Sequence, residues 1–167
     1  IGAPPDPFSP TGQVWGLPPP NPHAMIASAC AGFRDLLAAN MRHAAALRID
    51  HVMGLSRLFW VPDGATAAAG AYVRYPFDAL LATLALESAR ARCLVVGEDL
   101  GTVQEGLRER LADARVLSYR VLWFEREGAD FIAPAAWLAQ SAACVSTNDR
   151  PTIAGWWTGA DIDEREA

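Results

Sequence analysis

Four short β-like runs, separated by stretches of helical length, constrain this 167-residue chain more than any other feature. They lie at residues 47–52, 93–96, 116–124 and 142–146 and are rich in aliphatic, β-branched and aromatic side chains, which suit a pleated surface. Between them helical spacing recurs. Ile26, Cys30, Phe33, Leu37 and Met41 fall three or four apart along residues 23–45 and make one apolar face. Leu80, Leu81, Leu84 and Ala85 open a second helix running to about residue 92, with Asp78 as its expected N-cap. Shorter helices are expected at 103–112, at 134–140 and after Pro151, a residue suited to the first helical position. Such alternation predicts an α/β fold with a parallel sheet and helices packed outside it. Cys93-Leu94-Val95-Val96, closed by Gly97, reads as a strand buried on both faces.

Residues 1–22 carry Pro4, Pro5, Pro7, Pro10, Pro18, Pro19, Pro20 and Pro22 together with Gly12 and Gly16. No helix or central strand tolerates that density. Flexible linkers seldom hold large aromatics, and this stretch holds Phe8 and Trp15, so an ordered functional loop is expected. A Gly-containing stretch follows the first β-like run through Pro76. The chain opens inside a Gly-Ala-Pro-Pro-Asp run and stops in a charged tail, which reads as a segment of a longer protein.

Composition narrows the function. Half of the residues are hydrophobic (51%) and the formal net charge is −5. An acidic chain lacks the basic stripe that nucleic acid requires, whereas a neutral sugar suits it. No apolar run approaches the roughly 18 residues of a membrane span, and no signal peptide is recognisable. Cys30, Cys93 and Cys144 are odd in number and widely spaced, and read as buried thiols of a reducing, cytoplasmic compartment. His23, His43 and His51 have no metal-ligand spacing. Neither a G-x-S-x-G elbow nor a phosphate-binding glycine loop is present. No metal or cofactor is expected.

Three acids share one context. Asp50, Glu98 and Asp149 each follow a predicted strand. In a parallel sheet closed into a barrel, the C-terminal ends of all strands share one face, so acids about fifty residues apart converge there. A lone acid after a strand is commonly a helix cap or a solvated loop carboxylate; three with polar neighbours point to a site. Paired carboxylates suit glycosidic chemistry: one attacks the anomeric carbon or stabilises the oxocarbenium-like transition state, and the other protonates the leaving oxygen. Arg48, two residues before Asp50, projects from the same strand face. It either keeps Asp50 ionised or forms an ordinary structural ion pair.

Arg48-Ile49-Asp50-His51, Gly97-Glu98-Asp99-Leu100-Gly101 and Thr147-Asn148-Asp149-Arg150-Pro151-Thr152 resemble, in order and spacing, the active-site motifs of the 4-alpha-glucanotransferases. These are the amylomaltases and disproportionating enzymes of glycoside hydrolase family 77. The opening Gly2–Asp6 and Ser9–Gly16 stretches look like that family's substrate-covering loop, and Tyr119-Arg120-Val121-Leu122 and Gly155-Trp156-Trp157 also match. The resemblance implies that residues 1–167 are part of a single catalytic (β/α)8 TIM barrel, covering roughly its fourth to seventh strands, with 1–22 as the covering loop. It implies a retaining double displacement on maltodextrins, α-1,4-glucans. Asp50 would be the nucleophile, Glu98 the general acid/base and Asp149 the transition-state stabiliser. Arg48 and His51 would border the nucleophile, Gln13 and Trp15 would line the glucan path, and Phe8 would be a weaker contact. The loop aromatics have a plainer alternative role, as anchors pinning the loop to the barrel.

Two positions depart from the family pattern. Asn148 stands where His is common, and Pro7 where an aromatic is frequent. The competing reading is a non-catalytic or mainly hydrolytic glucan-binding relative.

Overall fold

The computed structural model describes residues 1–6, 9–147, 151–159 and 162. In chain order the elements are β1 (Gly2–Ala3), β2 (Gln13–Val14), α1 (Pro22–Ala27), α2 (Ala31–Met41), β3 (Ala46–Ile49), β4 (Arg57–Trp60), β5 (Ala71–Arg74), α3 (Phe77–Ala91), β6 (Leu94–Gly97), α4 (Leu107–Asp113), β7 (Ser118–Val121), β8 (Arg126–Glu127), β9 (Asp130–Phe131), β10 (Ser141–Cys144) and α5 (Ile153–Thr158). Short 3-10 turns fill Val52–Leu55, Ala67–Ala69 and Pro134–Ala136.

All four expected strands are present and parallel. β3 pairs β6 with Ile49 opposite Gly97, and β7 pairs β10 with Val121 opposite Cys144. A parallel bridge, Val96 to Leu117, joins the two pairs. The Gly97 N–H donates to the Leu117 carbonyl (2.8 Å) and the Leu117 N–H to the Val95 carbonyl (2.9 Å). The result is one sheet in the order β3-β6-β7-β10, each strand added on the same side as the last, with all C-terminal ends along one edge.

Period-two alternation divides this sheet into two faces. Leu47, Ile49 and Val95 turn toward a core built with Leu37 and Met41 of α2, Leu80 and Leu84 of α3, and Leu107 and Leu111 of α4. Met41, Leu80, Leu84 and Cys93 are fully buried there, and each such leucine is worth about 1.5–3 kcal/mol over an exposed one. Arg48 lies on the other face, where Leu94 is 62% exposed. The expectation of a β6 strand buried on both faces is therefore corrected: helices cover one face only.

Several other expectations change. The single helix over 23–45 is two helices, because Ala29 and Cys30 take left-handed conformations (φ 49° and 57°) between α1 and α2. This turns Ile26 out to solvent, while Cys30, Leu37 and Met41 stay buried. Asp78 sits in the first turn of α3 rather than at its cap, which is Pro76, and pairs with Arg110 at 2.6 Å. The helix expected from residue 103 starts only at Leu107, since Gly106 holds φ 77°. The helix expected over 134–140 is a 3-10 turn of three residues, Pro134–Ala136. The helix after Pro151 is present as α5, and its cap is the Thr152 hydroxyl, which accepts from the Gly155 N–H.

A second sheet was not legible in the pattern. β1, β2, β4 and β5 form an antiparallel sheet in the order β2-β1-β4-β5. The Gly-containing stretch through Pro76, to which the sequence pattern assigned no element, supplies β4 and β5, and the proline-dense opening supplies β1 as a central strand. Gly2 explains how: the Gln13 carbonyl lies where a Cβ would stand, so only glycine lets β2 approach. The sheet fastens β1 and β2 to β4, which follows β3 in the chain.

Candidate active site

The ladder between β3 and β6 continues past both strands and sets the site. The Glu98 N–H donates to the Ile49 carbonyl (2.9 Å). Asp50 and Glu98, the next residues after the Ile49–Gly97 pair, therefore stand side by side on neighbouring strands, whose usual spacing is about 4.8 Å.

At His51 the ladder slips by one residue. A regular parallel ladder would give the His51 N–H to the Glu98 carbonyl. His51 instead takes a left-handed conformation (φ 47°, ψ 58°), and the Val52 N–H takes that carbonyl at 2.9 Å. The freed His51 N–H donates to Glu98 Oε2 at 2.8 Å, and the Leu100 N–H donates to Oε1 at 2.9 Å. Left-handed backbone outside glycine costs about 1–3 kcal/mol and persists where its surroundings enforce it. Here it presents a donor that, with Leu100, fixes the orientation of the Glu98 carboxyl.

Arg48 and Asp50 share the open face, with Arg48 Nη2 2.6 Å from Asp50 Oδ1. Their side chains are 40% and 80% exposed, so the pair is worth about 0–1 kcal/mol of stability and serves mainly to orient the Asp50 carboxylate. Burial lowers the pKa of the His51 imidazole, the nearby charges of Glu98 and Asp50 oppose that, and Arg57 adds to it. The net lowering leaves the ring neutral at pH 7.

The opening loop walls the site. The Trp15 ring meets His51 edge-on, with centroids 5.2 Å apart at 76°. The Trp15 indole N–H donates to Gln13 Oε1 at 2.8 Å, and its backbone N–H to the Ile1 carbonyl at 2.9 Å. The indole is thus pinned and still 36% exposed, compatible with anchoring and with stacking alike.

Gln13, Trp15, Arg48, Asp50, His51 and Glu98 all line one open cleft of about 770 Å³. Phe8, Asn148 and Asp149 lie outside the described residues, although Thr147, next to Asn148, lines the same cleft. Leu17, Leu100, Gly101 and Phe124 complete the wall; Leu100 and Gly101 belong to the motif that carries Glu98 but were given no role of their own, and nothing in the sequence separates Leu17 and Phe124 from packing residues. Among the described residues, no group of three His, Cys, Asp or Glu side chains is placed to hold a metal ion, and no helix is long and apolar enough to cross a membrane.

Sequence reasoning also passed over Asp99. It turns away from the cleft and is 3% exposed. Its carboxylate accepts from Arg108 Nε (2.9 Å), the Ser118 hydroxyl (2.7 Å) and the Tyr119 N–H (2.9 Å). Arg108 Nη2 also donates to the Asp99 carbonyl at 2.7 Å. Alternation carried the signal: an acid directly after Glu98 must face the helix side and needs partners there.

The family described as 4-alpha-glucanotransferase matches residues 1–167. Curated relatives include the 4-alpha-glucanotransferases of Haemophilus influenzae, 48% identical over 98% of this chain and 23% of that protein, and of Mycobacterium tuberculosis, 43% identical over 99% of this chain and 24% of that protein. The chain thus spans about a quarter of the length of these relatives. Among solved structures, the amylomaltase of Corynebacterium glutamicum superposes with a TM-score of 0.93 at 36% identity, over 99% of this chain and 24% of that one. The amylomaltase of Streptococcus agalactiae in complex with acarbose gives 0.80 at 25% identity, over 99% of this chain and 34% of that one.

Proposed function

The chain belongs to the 4-alpha-glucanotransferase family, and on that premise we propose that the full-length protein transfers α-1,4-glucan segments between maltodextrins by a retaining double displacement. The observation that carries this reading is the side-by-side setting of Asp50 and Glu98 on in-register strands. One strand spacing matches the separation of about 5–5.5 Å that retention needs. In this reading Asp50, oriented by Arg48, attacks the anomeric carbon and forms a glycosyl ester. Glu98 gives its proton to the departing glycosidic oxygen. Glu98 then takes a proton from the 4-hydroxyl of an acceptor glucan, which displaces Asp50 and restores the α configuration. The neutral His51 borders the sugar without competing for that proton. Gln13 and Trp15 line the glucan path, residues 1–22 cover it, and Phe8, Asn148 and Asp149 complete it, Asp149 as transition-state stabiliser. Transfer rather than hydrolysis follows when a sugar hydroxyl, not water, reaches the ester.

The same reading makes residues 1–167 part of one (β/α)8 barrel, near its fourth to seventh strands. The order β3-β6-β7-β10 supports it: strands added always on one side curl toward closure, whereas a doubly wound sheet reverses direction partway. A cytoplasmic setting suits the free thiols of Cys30, Cys93 and Cys144.

Incubated with maltotriose, the full-length protein is expected to yield glucose and a ladder of longer maltodextrins, resolved by chromatography. Glucose and maltose without longer products would instead identify a hydrolase. The 167-residue segment alone is expected to be inactive and weakly stable. It leaves the outer edges of β3 and β10 without a strand partner among the described residues, and its open face keeps Leu94 in water; unpaired edges and uncovered apolar faces favour association. A monomeric segment that melts cooperatively and transfers glucan would refute this.

A further inference from the structure

Tyr119 lies on β7, two strands from Arg48, and the two side chains meet across β6. Register explains the meeting: Arg48 is opposite Val96 and Val96 is opposite Leu117, so Arg48, Val96, Leu117 and Tyr119 share the open face. The Arg48 guanidinium carbon stands 5.0 Å from the Tyr119 ring centroid, within cation–π range, while Arg48 Nη2 holds Asp50 Oδ1 at 2.6 Å. The base of Tyr119 is fixed in turn, because its N–H donates to the buried Asp99 carboxylate at 2.9 Å. A hydrogen bond with Cys144, and then burial, raise the pKa of the phenol, so the ring stays neutral.

We propose that Tyr119 is a positioning residue for glucan transfer, whose ring face holds the Arg48 guanidinium where it aims the Asp50 carboxylate at the anomeric carbon. The proposal rests on the reading of Asp50 as nucleophile. An arginine on the open face has many rotamers, and a carboxylate paired to a wandering guanidinium wanders with it. The ring removes that freedom from the far side, and Asp99 ties the ring's strand to the strand end that carries Glu98. The acid and the nucleophile are thereby referred to one buried anchor.

The test uses the full-length protein and maltotriose, with kcat, KM and melting temperature measured for Tyr119→Leu, Tyr119→Phe, Arg48→Ala and the double variant Tyr119→Leu/Arg48→Ala. Tyr119→Leu is expected to lower kcat about 10- to 100-fold with KM unchanged, the scale of a misplaced reacting group. Tyr119→Phe keeps the ring face and should restore kcat to near the parent value. In the Arg48→Ala background, Tyr119→Leu should cost little more, since the ring acts through Arg48. Three outcomes would overturn the proposal: a Tyr119→Leu protein that melts lower but keeps its kcat, which makes the ring a packing group; a Tyr119→Phe loss equal to that of Tyr119→Leu, which makes the hydroxyl the acting group; or additive losses in the double variant. Asp50→Asn, run beside them, separates the two levels. An active Asp50→Asn protein sinks the nucleophile assignment itself, whereas an inactive one beside a normal Tyr119→Leu sinks the role of Tyr119 alone.

Discussion

Asp50→Asn in the full-length protein is expected to lower turnover on maltotriose by roughly 10³-fold or more, the scale of removing one member of a catalytic unit, and to leave the melting temperature where it was. The side chain is 80% exposed, so its amide isostere disturbs nothing that holds the fold. Glu98→Gln is expected to lower turnover by about 10²–10⁴-fold, the range for a general acid or base, with a different thermal signature. The Glu98 carboxyl accepts at both oxygens, from the His51 and Leu100 N–H groups, and an amide accepts at only one. One backbone N–H then faces an NH2 group, a loss of about 1–3 kcal/mol. A donor sugar whose leaving group needs no proton, such as a maltosyl fluoride, separates the roles. Glu98→Gln should still consume it and accumulate the glycosyl ester, and Asp50→Asn should not. Near-normal rates in either variant, or fluoride turnover by Asp50→Asn, would end the assignment.

Asp99→Ala is expected to destabilise the full-length protein by about 3 kcal/mol, the lower end of the range for breaking a buried ion pair from one side, read from its denaturation midpoint. The lower end applies because Arg108 keeps 47% of its side chain in water and so regains solvent when its partner goes. The Ser118 hydroxyl and the Tyr119 N–H have no such recourse. Burial alone would push the Asp99 carboxyl up, but the Tyr119 N–H, the Ser118 hydroxyl and Arg108 outweigh it, and the pKa lies below the ordinary 3.8. A carboxyl held lower in the folded chain than in the unfolded one stabilises fully above the unfolded value and loses that contribution as pH falls through the folded one. The Asp99→Ala deficit should accordingly be constant from neutral pH down to about pH 4, the ordinary carboxylate range, and shrink below it. A deficit within experimental error at pH 7 would show that the three partners find other acceptors.

The parallel strands and the cleft were legible in the sequence because each depends on local pattern. The apolar runs ending at Ile49 and Gly97 mark strands by composition, and an acid one residue later marks an edge. Gln13 and Trp15 were legible by motif. The antiparallel sheet was not, because its strands are two to four residues long and β1 exists only where Gly2 lets β2 come close, a contact between residues that no periodicity couples. The break at Ala29 and Cys30 escaped for a related reason: neither residue favours a left-handed conformation, so tertiary packing imposes it. The slip at His51 is of the same kind. It appears only once Glu98 is across the ladder to use the freed N–H.

That Asp50 and Glu98 stand one strand apart means that backbone pairing, not loop length, sets their separation. Changes at the loop positions that line the cleft, Gln13, Trp15 and Leu17, can reshape what it admits without moving either acid relative to the other. For the roles proposed, donor and acceptor preference can therefore drift freely through evolution while the anomeric configuration of the product stays locked. An inverting descendant would need room for a water between its acids, about 6.5–9.5 Å, and the nearest ready spacing is two strands, about 9.6 Å. Changing the stereochemical outcome would thus require acids on strands that are not neighbours, and no remodelling of the covering loop would substitute for it.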